Sequence, residues 1–329
     1  MDNILFLLSF VMLFLGGEFL VKSSVAIALK MRISTLVVGM TVVSFATSAP
    51  ELFVSIKSAL DGITDITFGN VIGSNIANIT LVLGLTAMVF QIKITKQTYL
   101  LNYPVMLFTC VLFGVILYFT REISQLTGFV FVSLLIAFVF ILINKSRKEN
   151  TQLSEEEKKE YQNSVKTPFY VSALYMIAGV LLLAFGSEFL VNGVGKIAES
   201  FNISERVISV SLVALGTSIP ELATSLVAAF RKESNLAIGN LIGSNVFNVL
   251  AVLGITSIVH PISLSKSNDL SVPFVNHPLF SDFCWMISST ILLGIFIYIL
   301  SKKTLNRIEG AFMFLFYIGF MCFLLVNCI

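Results

Sequence analysis

Charge is scarce in this chain. Only 12% of its 329 residues are Asp, Glu, Lys or Arg, about half the share of an ordinary soluble domain. A net charge of +2 is too small to recruit a polyanion, so a nucleic-acid partner is excluded. His260 and His277 are the two histidines. They flank one loop without an acidic or cysteine cluster nearby, which argues against a metal site there. Cys110, Cys284, Cys322 and Cys328 lie in or beside apolar runs and form no CxxC pair, so they read as small apolar packing residues. No nucleotide-binding loop and no His/Asp/Ser constellation is present. An enzyme is therefore not expected, and no cofactor is implied.

What the chain has in abundance is apolar length. Apolar residues make up 56% of it, in runs of about 20, which is the length that crosses a bilayer. The pattern predicts an all-α polytopic membrane protein whose partner is the lipid bilayer. Ten spans are expected, at 4–28, 34–58, 66–90, 99–119, 123–143, 169–193, 205–230, 236–259, 279–300 and 307–327. The first run is too long for a signal-peptide core and lacks a preceding basic segment, so it reads as a retained helix. Residues 144–168 contain SRKENTQLSEEEKKEYQ, a charged connector with room for one helical turn at 155–160. The expected organisation is a first unit at 1–143, a linker at 144–168 and a second unit at 169–329. Fifteen Lys and Arg fall on the linker side of the spans and five on the other, with Lys22 inside the first span. The positive-inside rule then places the linker in the cytoplasm and both termini outside. The membrane would be a prokaryotic cytoplasmic (inner) membrane.

The two halves repeat. Residues 39–88 and 209–258 align without a gap at an offset of 170, with 19 identities in 50 positions, and GGEFLV at 16–21 meets GSEFLV at 186–191. Equivalent spans are five apart, an odd number, so they cross the membrane in opposite directions. This is an inverted repeat of two five-helix units, common in secondary transporters and a physical basis for alternating access.

The repeat carries polar chemistry to lipid depth. Span two holds Thr47, Ser48, Pro50 and Glu51; span seven holds Thr217, Ser218, Pro220 and Glu221. A carboxylate at mid-membrane costs about 2.5–3.5 kcal/mol even on the mild insertion scale, so two at matched depth point to a function beyond packing. Pro50 and Pro220 lack the N–H that would engage the carbonyls of Ala46 and Gly216. Each proline marks a helix break, or an ordinary kink. Spans three and eight carry Gly73, Ser74, Asn75 and Asn78, and Gly243, Ser244, Asn245 and Asn248. The glycines let helices approach closely or break locally. Asn75 and Asn245 fit ligation and interhelical bonding equally. Glu18 and Glu188, also repeat-related, fit bonding to a neighbouring helix better than direct ligation. The donors are carboxylate, hydroxyl, amide and carbonyl oxygen, which suit hard cations. Two glutamates supply a charge of −2, balanced by one Ca²⁺ or two Na⁺, whereas Mg²⁺ sheds its water too reluctantly for a crowded cage.

ATSAPELFVS with GNVIGSNIAN, and LGTSIPELATS with GNLIGSNVFN, resemble the two alpha-repeats of the cation/calcium exchanger superfamily, and within it the prokaryotic sodium/calcium antiporters. The resemblance implies a secondary active antiporter exchanging Ca²⁺ for Na⁺ by alternating access, with no obligatory protein partner. Carried over by motif position, the ion-binding residues would be Ser44 (carbonyl), Thr47, Ser48, Glu51, Ser74 and Asn78, and Ala214 (carbonyl), Thr217, Ser218, Glu221, Ser244 and Asn248. It further implies that spans one and six form a sliding gate. Many members carry aspartate where this chain has Asn248, which leaves room for proton coupling through Glu51 or Glu221. A Ca²⁺/H⁺ or other divalent-cation/proton antiporter is the alternative. A passive channel is disfavoured, because an inverted repeat within one chain argues for a carrier.

Overall fold

The computed structural model describes residues 2–149, 168–200, 216–264, 274–300 and 304–328. The helical turn expected at 155–160, the first half of the seventh span and Ala214 lie outside the described residues.

Apolar helices account for nearly all of the rest. They are α1 (Asp2–Met31), α2 (Thr35–Thr47), α3 (Ala49–Leu60), α4 (Thr64–Val89), α5 (Thr98–Thr120), α6 (Gln125–Glu149), α7 (Phe169–Ser200), α8 (Ile219–Phe230), α9 (Ser234–Val259), α10 (Pro278–Leu300) and α11 (Arg307–Cys328). Among the described residues, eight helices are long and apolar enough to cross a membrane. The bent pair α2–α3 makes a ninth span. Helix α8 occupies the second half of the seventh expected span, so the ten-span inverted architecture holds as far as the chain is described.

Burial sorts the spans. In α4 and α9 the apolar stretches are 78% and 83% buried, against 22–44% for the other long helices. These two repeat-related helices are the centre of the molecule, and the rest turn apolar faces to lipid. Their composition fits that place: GN-IGSN-N offers small and amide side chains where helices must touch. At Gly243 a Cβ would lie 2.7 Å from the Cα of Met40, so only glycine lets α9 cross α2 there. The helix nevertheless runs unbroken through Gly73 and Gly243. The irregularity comes one turn later, as π turns at Ala77–Val82 and Asn248–Leu253. A glycine that packs a backbone contact has no need to break its own helix. Of the two roles expected for those glycines, close approach is the one seen, and the helix does not break at them.

Outside this core, α1 and α7 lie along one another. A Cβ on Gly179 would come 2.9 Å from the Gly16 carbonyl, so the two backbones touch. Four two-residue strands, β1 (Ile92–Lys93), β2 (Glu122–Ile123), β3 (Ile262–Ser263) and β4 (Thr304–Leu305), pair antiparallel as β1·β4 and β2·β3. Each ribbon ties a loop of one half to a loop of the other. β1 and β3 also stand 170 residues apart, so the ribbons obey the same inverted relation as the helices.

Candidate functional site

The sequence breaks its own helix where the carboxylates are. At Ser48 the backbone leaves helical geometry (φ −84°, ψ 7°), Pro50 opens α3, and the axis turns by 43°. At Ser218 the backbone does the same (φ −89°, ψ 0°) before Pro220. Each break puts a glutamate, Glu51 or Glu221, in the first turn of the following helix. There the positive end of the helix dipole favours the carboxylate charge. Both glutamates are fully buried, and they are close enough for their charges to repel.

Two amide–hydroxyl bridges cross between the halves, and two more act within one half each. Thr47 donates to Asn240 Oδ1 (3.2 Å), and its repeat partner Thr217 donates to Asn70 Oδ1 (3.5 Å). Asn70 Nδ2 in turn donates to the Glu51 carbonyl (3.1 Å) and to Ser55 Oγ (3.1 Å), while Asn240 Nδ2 donates to Ser225 Oγ (3.4 Å). Asn70, Asn240, Ser55 and Ser225 are therefore braces that fix the broken helices on α4 and α9. The sequence reading assigned them no role. Their signal was available, because all four fall on identities of the repeat.

Inside this frame many of the remaining polar atoms lack partners. Both oxygens of Glu51, Oε2 of Glu221, the hydroxyls of Ser218 and Ser244, both amide atoms of Asn78 and Oδ1 of Asn248 are buried without a hydrogen bond among the described residues. Leaving such a group unpaired costs about 1–3 kcal/mol, more when it is charged. Glu221 Oε1 accepts from Ser48 (3.4 Å), and Ser74 and Thr217 share a bond (3.2 Å). The hydroxyls of Ser74 and Thr217 stand beside Glu51, and those of Thr47, Ser48 and Ser244 beside Glu221. Seven of the side chains singled out from sequence thus stand together in one buried place (Thr47, Ser48, Glu51, Ser74, Thr217, Glu221 and Ser244), and Asn78, Ser218 and Asn248 are buried with unpartnered polar atoms of their own. Such a desolvated oxygen cage with two carboxylates has the donor chemistry that suits a hard cation.

Other residues fall elsewhere. The Ser44 carbonyl already accepts from the Ser48 N–H (2.9 Å) and the Thr47 hydroxyl (3.4 Å), and the Ser44 hydroxyl donates to the carbonyls of Gly39 and Asn240. Asn75 Oδ1 accepts from Asn248 Nδ2 (3.1 Å), and its own amide donates to the Asn245 carbonyl (3.5 Å). Asn75 therefore orients Asn248. Asn245 donates to the Leu241 carbonyl of its own helix (2.7 Å). Glu18 is bound by Arg231 and by Lys22. Glu188 lines an open cavity of about 370 Å³ between α3, α7 and the start of α8, with Pro50, Phe53, Asn192 and Thr217. Through Thr217 that cavity reaches the oxygen cage.

Comparison with known proteins places the whole chain in a family. Residues 3–144 and 171–326 match the family described as sodium/calcium exchanger protein. The sodium/calcium exchanger MaX1 of Methanosarcina acetivorans is 31% identical over 97% of both chains. The inner membrane protein YrbG of Escherichia coli is 32% identical over 77% of this chain and 79% of its own. The crystallised sodium-calcium exchanger NCX_Mj superposes with a TM-score of 0.77 at 29% identity, covering 96% of each chain. A family match over both halves makes this chain a member of the sodium/calcium exchanger protein family and an integral membrane cation/Ca²⁺ antiporter.

Proposed function

We propose that this protein exchanges Ca²⁺ for Na⁺, loading them in turn on the cage formed by Thr47, Ser48, Glu51, Ser74 and Asn78 with Thr217, Ser218, Glu221, Ser244 and Asn248. The observation that carries the reading is the set of unpartnered oxygens around Glu51 and Glu221. Two carboxylates balance either one Ca²⁺ or two Na⁺. Either load compensates the mutual repulsion of the pair, which is the condition for exchanging one load against the other. The name of MaX1 and the structure of NCX_Mj support sodium as the counter-ion.

In our reading both termini lie outside and the 144–168 linker in the cytoplasm. The fifteen-to-five asymmetry of basic residues supports that orientation. Proton coupling is the second reading, favoured by one feature: Asn78 and Asn248 are both neutral amides, so the cage holds two acids and no third.

One experiment separates the readings: Ca²⁺ uptake into proteoliposomes loaded with Na⁺, or loaded sodium-free and driven by a pH step. We expect uptake with the sodium load and none with the pH step. Glu51→Gln and Glu221→Gln are each expected to reduce it at least a hundredfold, with the protein still inserted and monodisperse. Uptake driven equally by a pH step would move the assignment to protons, and full activity in either variant would remove the cage from the mechanism.

A further inference from the structure

The two halves match in backbone but not in charge, and the mismatch falls on the gate helices. Glu18 of α1 is held by Arg231 at the end of α8, through both its Nε and an Nη, and by Lys22 one turn along α1 at 2.9 Å. At the repeat-related positions, 170 residues on for Glu18 and Lys22 and 170 back for Arg231, stand Glu188, Asn192 and Asp61. The second set contains no cation. Among the described residues Glu188 makes no ion pair and faces the 370 Å³ cavity. Packing differs in the same sense. Gly17 lies against α8, where a Cβ would come 3.0 Å from Val227 and 3.3 Å from the Ala223 carbonyl. Its counterpart Ser187 lines the cavity that keeps α7 off Phe53 and Val54 of α3. The gate is shut on α8 and open on α3.

We propose that Glu18, Lys22 and Arg231 form a one-sided latch. It holds the α1/α7 gate closed on the cytoplasmic face and biases the ion-free carrier toward the state open on the opposite face. The inference rests on the alternating-access reading and orientation given above. An inverted repeat reaches its other state by the mirrored movement. That movement carries α1 off α8, separating Glu18 from Arg231, and brings α7 down on α3, where Glu188 approaches Asp61. One state gains a forked guanidinium–carboxylate contact; the other gains two like charges. Both terms favour the same state. The side chains of Arg231 and Lys22 are 40% and 60% exposed, so solvent and salt screen the latch. It shifts populations and does not lock them, which a carrier that must cycle requires.

The test uses the full chain in proteoliposomes, with cysteines replaced by serine and a single reporter at Phe53→Cys in the open cavity. The readout is its rate of modification by a membrane-impermeant thiol reagent in buffer free of Na⁺ and Ca²⁺. Glu18→Gln and Arg231→Gln are each expected to slow modification about three- to tenfold. The exchange Glu18→Arg with Arg231→Glu should restore it. The pair Asn192→Lys with Asp61→Arg, which builds the mirror latch, should slow modification in an otherwise native carrier. Choline chloride at high ionic strength should slow the parent but not Glu18→Gln. Rates within twofold of the parent in the two single variants and in the mirror pair would overturn the proposal. So would slowing that the charge exchange fails to reverse, since the effect would then be packing. No ion needs to be transported in this assay, so a carrier that proves not to exchange Na⁺ but keeps these labelling responses would lose the ion assignment and retain the latch.

Discussion

At the scale of single residues, the site divides polar groups into those already bonded and those held open. Asn70 is the clearest of the first kind. Its amide nitrogen donates twice, to the Glu51 carbonyl and Ser55, and its oxygen accepts from Thr217. Asp is nearly the same shape but has no N–H to give, so Asn70→Asp strands two buried acceptors and adds a carboxylate beside Glu51. Each lost partner costs about 1–3 kcal/mol. We expect Asn70→Asp to lower the thermal midpoint in detergent at least as much as Asn70→Ala, by several degrees, despite its conservative shape. A variant as stable as the parent would show that Asn70 does not brace the broken helix. The sequence made Glu51 and Glu221 legible because charge at lipid depth is costly and both repeats contain it. It left Asn75 and Asn245 undecided, since an amide oxygen that ligates and one that bonds a neighbour look the same in a string of letters. The structure spends Asn75 on orienting Asn248.

At the scale of elements, the proline breaks were legible and the π turns were not. A proline removes a specific N–H, so Pro50 and Pro220 mark where the helix opens or kinks. A π turn only re-registers hydrogen bonds within an unbroken helix and leaves no residue-type mark. Those at Ala77–Val82 and Asn248–Leu253 contain Asn78 and Asn248. The paired two-residue strands were also unread, because span ends set their register and their own residues do not. Pro50 carries a prediction of its own. In Pro50→Ala the N–H returns and can bond the Ala46 carbonyl, straightening the α2–α3 junction and displacing Glu51 by an ångström or more. Misplacement on that scale is enough to cost about a hundredfold in a positioned site. Exchange in sodium-loaded vesicles should fall by at least tenfold while the thermal midpoint stays level or rises. Lost stability together with lost transport would instead make the proline a packing residue.

At the scale of the whole molecule, the repeat was read from nineteen identities and is returned in three dimensions by mirrored bridges, mirrored π turns and mirrored ribbons. The asymmetry between α1 and α7 was half legible: Lys22 and Arg231 stand against Asn192 and Asp61 across the repeat, but Glu18 and Glu188 are identical letters. Only packing shows that one is paired and the other faces a cavity. Two halves that meet at an oxygen cage should be joined by what the cage holds. Glu51 and Asn78 come from the first half and Glu221 and Asn248 from the second, so a cation bound by all four would tie the halves together. Binding to the folded state alone stabilises by RT ln(1 + [L]/Kd), about 2.7 kcal/mol at a hundredfold excess over Kd. Ca²⁺ should therefore raise the thermal midpoint in detergent by several degrees, reversibly on adding a chelator. Na⁺ should do so at higher concentration and Mg²⁺ hardly at all, because it keeps its hydration shell. Choline at matched ionic strength should have no effect. In Glu51→Gln the Ca²⁺ response should collapse, since one of the two charges that offset the cation's desolvation is gone. A Ca²⁺-induced rise that persists undiminished in that variant would put the ion somewhere other than between the halves.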